Sequence, residues 1–190
     1  MNADRALALL LRATQLKRVP RVGWVMRGLV DAESVSDHSF GVAFVALVLA
    51  ELTEQPVDVA KLLTIALIHD LPEAVLGDIP SPASAYFPRN AKPAAEAEAL
   101  MALLRELPQL EQWQRWWREY AERSSVEGRL VRDADHLDRL IQAYVYEQTT
   151  GNLWLDEFWR DTTAGDFGFE ASSSLFLALC EARERSREAP

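Results

Sequence analysis

The chain has 190 residues, 49% hydrophobic and 26% charged, with only 8 Gly and 9 Pro, which excludes disorder as the default and suits one domain with a sizeable core. A formal net charge of −9 disfavours a broad polyanion-binding face, so no nucleic-acid polymer is expected as a partner. The single Cys180 excludes an internal disulfide, and MNADRALALLLRATQ has an acid where a secretory signal needs bases, so the expected location is the cytoplasm.

Helical periodicity runs almost throughout, and no stretch alternates as a strand would. An all-α fold is therefore predicted, a single helical domain over 1–190 with its core at about 16–165 and a last helix at about 170–187. The first helix covers about Asp4 to Gln15 and ends before Pro20. A loop from Val19 to Asp31 follows. Arg12, Lys17, Arg18, Arg21 and Arg27 cluster around it with no acidic residue between Arg12 and Val30, either as a solvated basic loop or as compensation for a small anion. Ser34 and Asp37 form a capping-box pattern that opens a helix through Glu51 and puts His38 in its first turn. The apolar run Phe40 to Ala50 is about half of the roughly 20 residues a bilayer span needs, so it reads as a buried helix and no membrane span is expected.

Asp58 caps a third helix through about Asp70, where Pro72 breaks the backbone pattern and leaves His69 and Asp70 at a helix end. The turn Pro72 to Leu76 closes at Gly77, and the prolines of Asp78-Ile79-Pro80-Ser81-Pro82 predict an extended segment. After a loop to about Asn90, helices are predicted at about Ala94 to Glu106, Leu110 to Glu122, and Ser125 to Thr149. A pair at Leu153 to Arg160 and Glu170 to Arg187 ends the chain.

The chemistry-bearing residues concentrate at those helix ends. Only three histidines exist, and His69-Asp70 closes the apolar run Leu62 to Leu67, so two ionisable groups terminate a core helix. Buried charge of this kind must be paired or bind metal. His38 supplies a third donor from a neighbouring helix. On the long helix Leu130, Ala134, Leu137, Ile141 and Tyr144 form an apolar stripe with Asp135 at its edge, a fourth ligand candidate; Asp133 and Asp138 read as a solvated face paired with Arg132 and Arg139. Two imidazoles and two carboxylates suit Mn, Co, Fe or Zn. Such a metal activates water and polarises a phosphoryl oxygen. Glu73, three residues past Asp70, is placed to take a proton, or else is a carboxylate favoured by a helix N-terminus. Trp113, Trp116 and Trp117 read as core or subunit interface, and His136 and Cys180 as structural.

The ordered set His38, His69-Asp70, Asp135 resembles the H…HD…D pattern of the HD superfamily. The stretches LKRVPRVGWVMRGLVDAESVSDHS, ALIHDLPEAVLGDIPSP, SSVEGRLVRDADHLDRLIQAYVYE and DEFWRDTTAGDFGF resemble its 5′-deoxynucleotidases. That resemblance implies a helical HD bundle with a metal site at converging helix ends, hydrolysing deoxynucleoside 5′-monophosphates. It implies metal ligation by His38, His69, Asp70 and Asp135, with catalytic roles for Glu73 and Asp78. A second ion such as Mg would lie at Glu73, Asp78 and the Ile79 carbonyl. Substrate contacts fall to Arg18, with Arg21 as its alternative, and to Trp24 at the deoxyribose, Asp78 and Ser81. Arg89 and Lys92 stand where some relatives carry lysines. A homodimer is the implied assembly. Competing expectations are another HD phosphodiesterase, which shares the ligands but not the pocket, and a non-catalytic metal-binding module, which needs no Glu73.

Overall fold

Ser34 and Asp37 close a reciprocal cap: the Ser34 amide donates to Asp37 Oδ2 over 2.9 Å, and the Asp37 amide donates to Ser34 Oγ over 3.2 Å. That cap satisfies orphan donors at the start of the central helix. In the computed structural model, which describes residues 2–160 and 162–188, the elements are all helical. They are α1 (Ala3–Ala13), α2 (Val22–Val25), α3 (Val35–Leu52), α4 (Val59–Ile68), α5 (Glu73–Leu76), α6 (Ser81–Ser84), α7 (Ala91–Leu104), α8 (Leu110–Glu122), α9 (Val126–Thr150), α10 (Glu157–Arg160) and α11 (Glu170–Glu188). Short 3-10 turns at Thr14–Arg18, Leu153–Asp156 and Ala164–Asp166 join them. No strand forms among the described residues, and only an isolated bridge pairs Pro20 with Ser34.

Packing centres on α3, α4 and α9. Val42, Ala46 and Leu49 of α3 meet Leu62 and Ile65 of α4 and Leu130, Ala134 and Leu137 of α9 in one apolar cluster. A second cluster joins Leu16, Val35, Ile68 and Leu71 to Leu100, Leu103 and Leu104 of α7 and to Trp117 of α8. The two clusters flank the N-terminus of α3 and the C-terminus of α4, so the polar residues there are enclosed by apolar side chains.

Charged residues set the helix contacts at the rim. Lys61 bridges Glu119 at 2.6 Å and Glu127 at 2.9 Å, tying α4 to α8 and α9. Arg183 of α11 donates to both Glu147 oxygens at 2.7 Å and lies 4.3 Å over the Trp159 ring.

Three expectations need correction. The Val19 to Asp31 segment is not all loop, since α2 forms inside it. The proline-rich segment turns helical at Ser81, because Pro82 in the first turn is pre-set for a helix. Ile141 is 39% exposed rather than part of the core stripe. The Phe40 to Ala50 run lies inside the predicted helix, α3, whose 18 residues are long and apolar enough by composition to cross a bilayer. One face of it packs on α4 and α9, while Phe40 and Phe44 are exposed.

Gly128 marks the closest helix approach: a Cβ there would lie 2.6 Å from the Glu119 carbonyl oxygen, a backbone atom that cannot rotate away. Gly128→Ala is therefore expected to destabilise the fold by about 1–3 kcal/mol, although alanine is the better helix former. Denaturant unfolding checks this; unchanged or raised stability would show that α8 shifts freely.

Candidate metal centre

Three helices deliver the polar cluster. His38 comes from the first turn of α3, His69 caps the C-terminus of α4, and Asp135 projects from the middle of α9. The convergence is thus of two helix ends on the flank of a third helix, not of ends alone. Ligand atoms of His38, His69 and Asp135 all lie within 4.8 Å of one another. Asp70, beyond the end of α4, completes the group: its Oδ2 is 3.2 Å from His69 Nε2 and 3.7 Å from His38 Nε2, and Asp135 Oδ1 is 3.3 Å from His38 Nε2.

The outward nitrogens of both rings are already engaged. His69 Nδ1 lies 2.7 Å from the Ala66 carbonyl, which can only accept, so Nδ1 carries the proton and Nε2 presents a lone pair. His38 Nδ1 lies 2.8 Å from Asp138 Oδ2 in the same sense. Both Nε2 atoms are buried and lack a hydrogen-bond partner. Lone pairs facing carboxylate oxygens at 3.2 to 3.7 Å repel unless a proton or a cation lies between them. Two neutral imidazoles and two carboxylates therefore fit a divalent transition metal. Without one, burial and Arg21 oppose charge on His38, yet Asp135 and Asp138 outweigh them and push it up to about 10. Burial opposes ionisation of Asp70, but His69, Arg21 and His38 hold it well below the usual carboxylate range.

Further side chains hold the ligands in place. The Tyr120 hydroxyl donates to Asp135 Oδ2 over 3.1 Å and accepts from Arg132 over 3.0 Å. Trp117 Nε1 donates to the His69 carbonyl over 3.0 Å. Asp138 is not on a solvated face: it is buried against His38. Asp133 is buried too, and its carboxylate accepts the Gly168 and Phe169 amides ahead of α11. The i, i+3 spacing of Asp135 and Asp138 was the available signal, since both can face one neighbouring helix. Trp113 and Trp116 pack against different apolar clusters, and His136 stacks on Phe167 at 5.0 Å.

At the mouth, Glu73 is buried and its Oε2 has no hydrogen-bond partner. Burial, with Asp70 and Asp78 nearby, pushes it up to about 9. Arg21 lies 3.3 Å from Asp70 Oδ2 and 3.9 Å from Asp78 Oδ1, whereas Arg18 is exposed. Asp78 also accepts the Val22 amide over 2.6 Å, and the Arg21 amide donates to the Glu33 carbonyl over 2.9 Å, so the segment carrying Arg21 is clipped at both sides.

Trp24 is only 2% exposed. It packs on Phe158 with ring centroids 4.5 Å apart and donates to Glu33 over 2.7 Å, so its ring belongs to the core and is not open to a sugar. Ser81 and Arg89 are exposed, while Lys92 donates to the Ile79 carbonyl over 3.2 Å. A second cation at that carbonyl would meet this ammonium, which already supplies positive charge there.

A sequence profile described as HD domain matches residues 13–166. The chain belongs to the HD-domain family. Among HD-domain relatives, the 5′-deoxynucleotidase HDDC2 of Danio rerio is 35% identical over 185 residues, covering 96% of this chain and 90% of that protein. The Homo sapiens protein of the same name is 35% identical over 169 residues, covering 87% and 80%. A conserved hypothetical protein from Pyrococcus furiosus superposes with a TM-score of 0.77 at 41% identity, covering 94% of this HD-domain chain and 99% of its own.

Gly41 sits three residues past His38, and a Cβ there would overlap the Asp138 carboxylate. Gly41→Ala is expected to keep the fold, because a carboxylate can rotate away, but to weaken metal affinity by roughly 10–100-fold through loss of the His38 partner. Chelator competition measures this. Unchanged affinity would show that His38 needs no support from Asp138.

Proposed function

We propose that this chain is a metal-dependent phosphomonoester hydrolase that removes the 5′-phosphate from 2′-deoxyribonucleoside 5′-monophosphates. The observation that carries the reading is the pair of buried, unpartnered imidazole nitrogens facing Asp70 and Asp135 in a chain whose relatives bear the name 5′-deoxynucleotidase. The chain acts as one HD domain on a small molecule.

His38, His69, Asp70 and Asp135 would hold the ion, of the Mn, Co, Fe or Zn type. When bound, it supplies Lewis acidity toward a phosphoryl oxygen and lowers the pKa of water. Arg21 stands at the mouth beside Asp70 and Asp78, and its guanidinium fork suits phosphate oxygens. Glu73 carries the proton step. Its burial, with Asp70 and Asp78 nearby, favours the protonated form, and positive charge on those neighbours would favour the carboxylate, so the group can accept a proton and return it. Asp78 positions Arg21 through the Val22 amide.

An exposed stripe of Phe40 (73%), Phe44 (61%) and Val48 (39%) along α3 supports a homodimer, which sedentary monomeric behaviour in analytical ultracentrifugation would contradict. The lone Cys180 and a nucleotide substrate support action in the cytoplasm.

A phosphate-release screen over ribo- and deoxyribonucleoside monophosphates with Mn, Co, Zn and Mg tests the activity. Deoxyribonucleotides are expected to be hydrolysed and ribonucleotides much less. Equal kcat/KM for AMP and dAMP would sink the selectivity, and turnover confined to cyclic nucleotides would point to another HD activity.

Two variants separate metal binding from chemistry. Glu73→Gln should keep the metal and lower kcat by about 10² to 10⁴, the usual contribution of a general acid or base. His69→Ala should lose metal and activity together. Metal analysis beside kinetics decides: if Glu73→Gln loses the metal as fully as His69→Ala, Glu73 is a ligand instead.

A further inference from the structure

The face of α9 that carries Asp135 also borders a second concavity. A cleft of about 380 Å³ lies between α9 and residues 165–168, and Arg123, Arg129, Arg132 and Arg139 line it. Four of the 20 basic residues of a chain with net charge −9 converge there. Arg132, Asp135 and Arg139 follow one another at i, i+3 and i+7, so they share one helix face.

Of the three acidic groups in the wall, Asp133 and Asp166 are engaged by backbone amides, while Asp135 is shared between His38 and Arg132, the latter at 3.6 Å. Asp133 accepts the Gly168 amide over 3.0 Å and the Phe169 amide over 3.2 Å. Asp166 accepts the Thr163 amide over 2.6 Å, and Asp135 faces His38 at 3.3 Å. Arg139 is left over. Its Nε is buried without a hydrogen-bond partner, and among the described residues no carboxylate pairs with its guanidinium. A charge drawn away from water with no counter-ion is destabilising, and a tetrahedral oxyanion would offset it by matching the guanidinium fork. Arg132, with 44% of its side chain exposed, stands one turn before Asp135 and Arg139 one turn after it, flanking the same opening.

We propose that this cleft is a second anion site, built for a phosphate group held by Arg139 and Arg132, beside the metal centre and sharing Asp135 as a wall. The phosphate has two chemical sources: a second phosphate on the nucleotide being hydrolysed, or free inorganic phosphate. Both sources rest on the hydrolase reading above, whereas the site itself rests on the cleft.

Tungstate, a phosphate analogue with a strong anomalous signal, is to be soaked into crystals of the metal-loaded wild type and of Arg139→Gln. A peak between Arg132 and Arg139 is expected in the wild type and not in the variant. No peak in the wild-type cleft overturns the proposal, and this result does not depend on turnover or on how the variant folds. In solution, Arg139→Gln should leave hydrolysis of dAMP alone unchanged. If the substrate brings the phosphate, kcat/KM for 5′-phosphate release from deoxyadenosine 3′,5′-bisphosphate falls about tenfold or more in the variant, as loss of a charge-assisted hydrogen bond implies. If the phosphate is free, inhibition of dAMP hydrolysis by inorganic phosphate weakens by a similar factor. Wild type and variant behaving alike in both assays overturns the proposal. Absence of dAMP turnover in the wild type would refute the hydrolase reading while the diffraction result still decides the cleft.

Discussion

His38 has no exposed surface, and its two ring nitrogens face carboxylates from the same helix, Asp138 at 2.8 Å and Asp135 at 3.3 Å. Such an arrangement is stable only while a positive charge sits among the carboxylates, as an imidazolium proton or as a metal ion. The rest of the molecule serves that constraint. Gly41 lets Asp138 come against α3, and Gly128 lets α8 approach α9 so that Tyr120 reaches Asp135. Trp117 fixes the backbone of His69 through its indole N–H. Apolar clusters on both flanks keep water from screening the charges, which makes each misplaced group expensive and the ligand geometry sharply defined.

Around this rigid centre lies a more open rim assembled from short elements. Arg21 is carried by a segment bridged to Ser34 and held by Asp78, so the start of α3, the basic loop and the turn after α5 form one unit. The unit brings Arg21 together with Asp70 and Asp78 over the mouth as an ion-paired group. Glu73 sits beneath it, shielded enough to favour the neutral acid and close enough to Asp70 and Asp78 to respond to any cation. Glu73 and Arg21 thereby lie beside Asp70 and Asp78, whereas Asp138 and Tyr120 contact His38 and Asp135.

Charge distribution gives the surface a second organisation. A net charge of −9 lowers nonspecific attraction for anions, while the arginines along one face of α9 create a local exception. Of the N-terminal basic cluster, expected either as a solvated loop or as small-anion compensation, Arg21 lies beside Asp70 and Asp78 and Arg18 faces solvent. The larger basic concentration comes from the long helix, where Asp133 is turned inward to cap α11 and does not neutralise its neighbours.

The sequence by itself determined the helices that carry the centre, because caps and breakers act locally: Ser34 with Asp37, Asp58 before α4, Pro72 after His69 and Ser125 before α9 each satisfy or remove backbone donors within a few residues. It also determined which residues meet, since His38, His69-Asp70 and Asp135 form an ordered pattern at or near those signals. What it did not determine was the burial of Asp133 and Asp138, the withdrawal of Trp24 into the core, the choice of Arg21 over Arg18 at the mouth, or the ammonium of Lys92 at Ile79. Each depends on which face of one helix, turn or loop meets a partner distant in the chain. Asp138 and Gly41 are 97 positions apart, and nothing local says that one lacks a Cβ where the other needs room. Helix propensity and capping are short-range effects; side-chain placement in a packed interior is decided only when the helices are brought together.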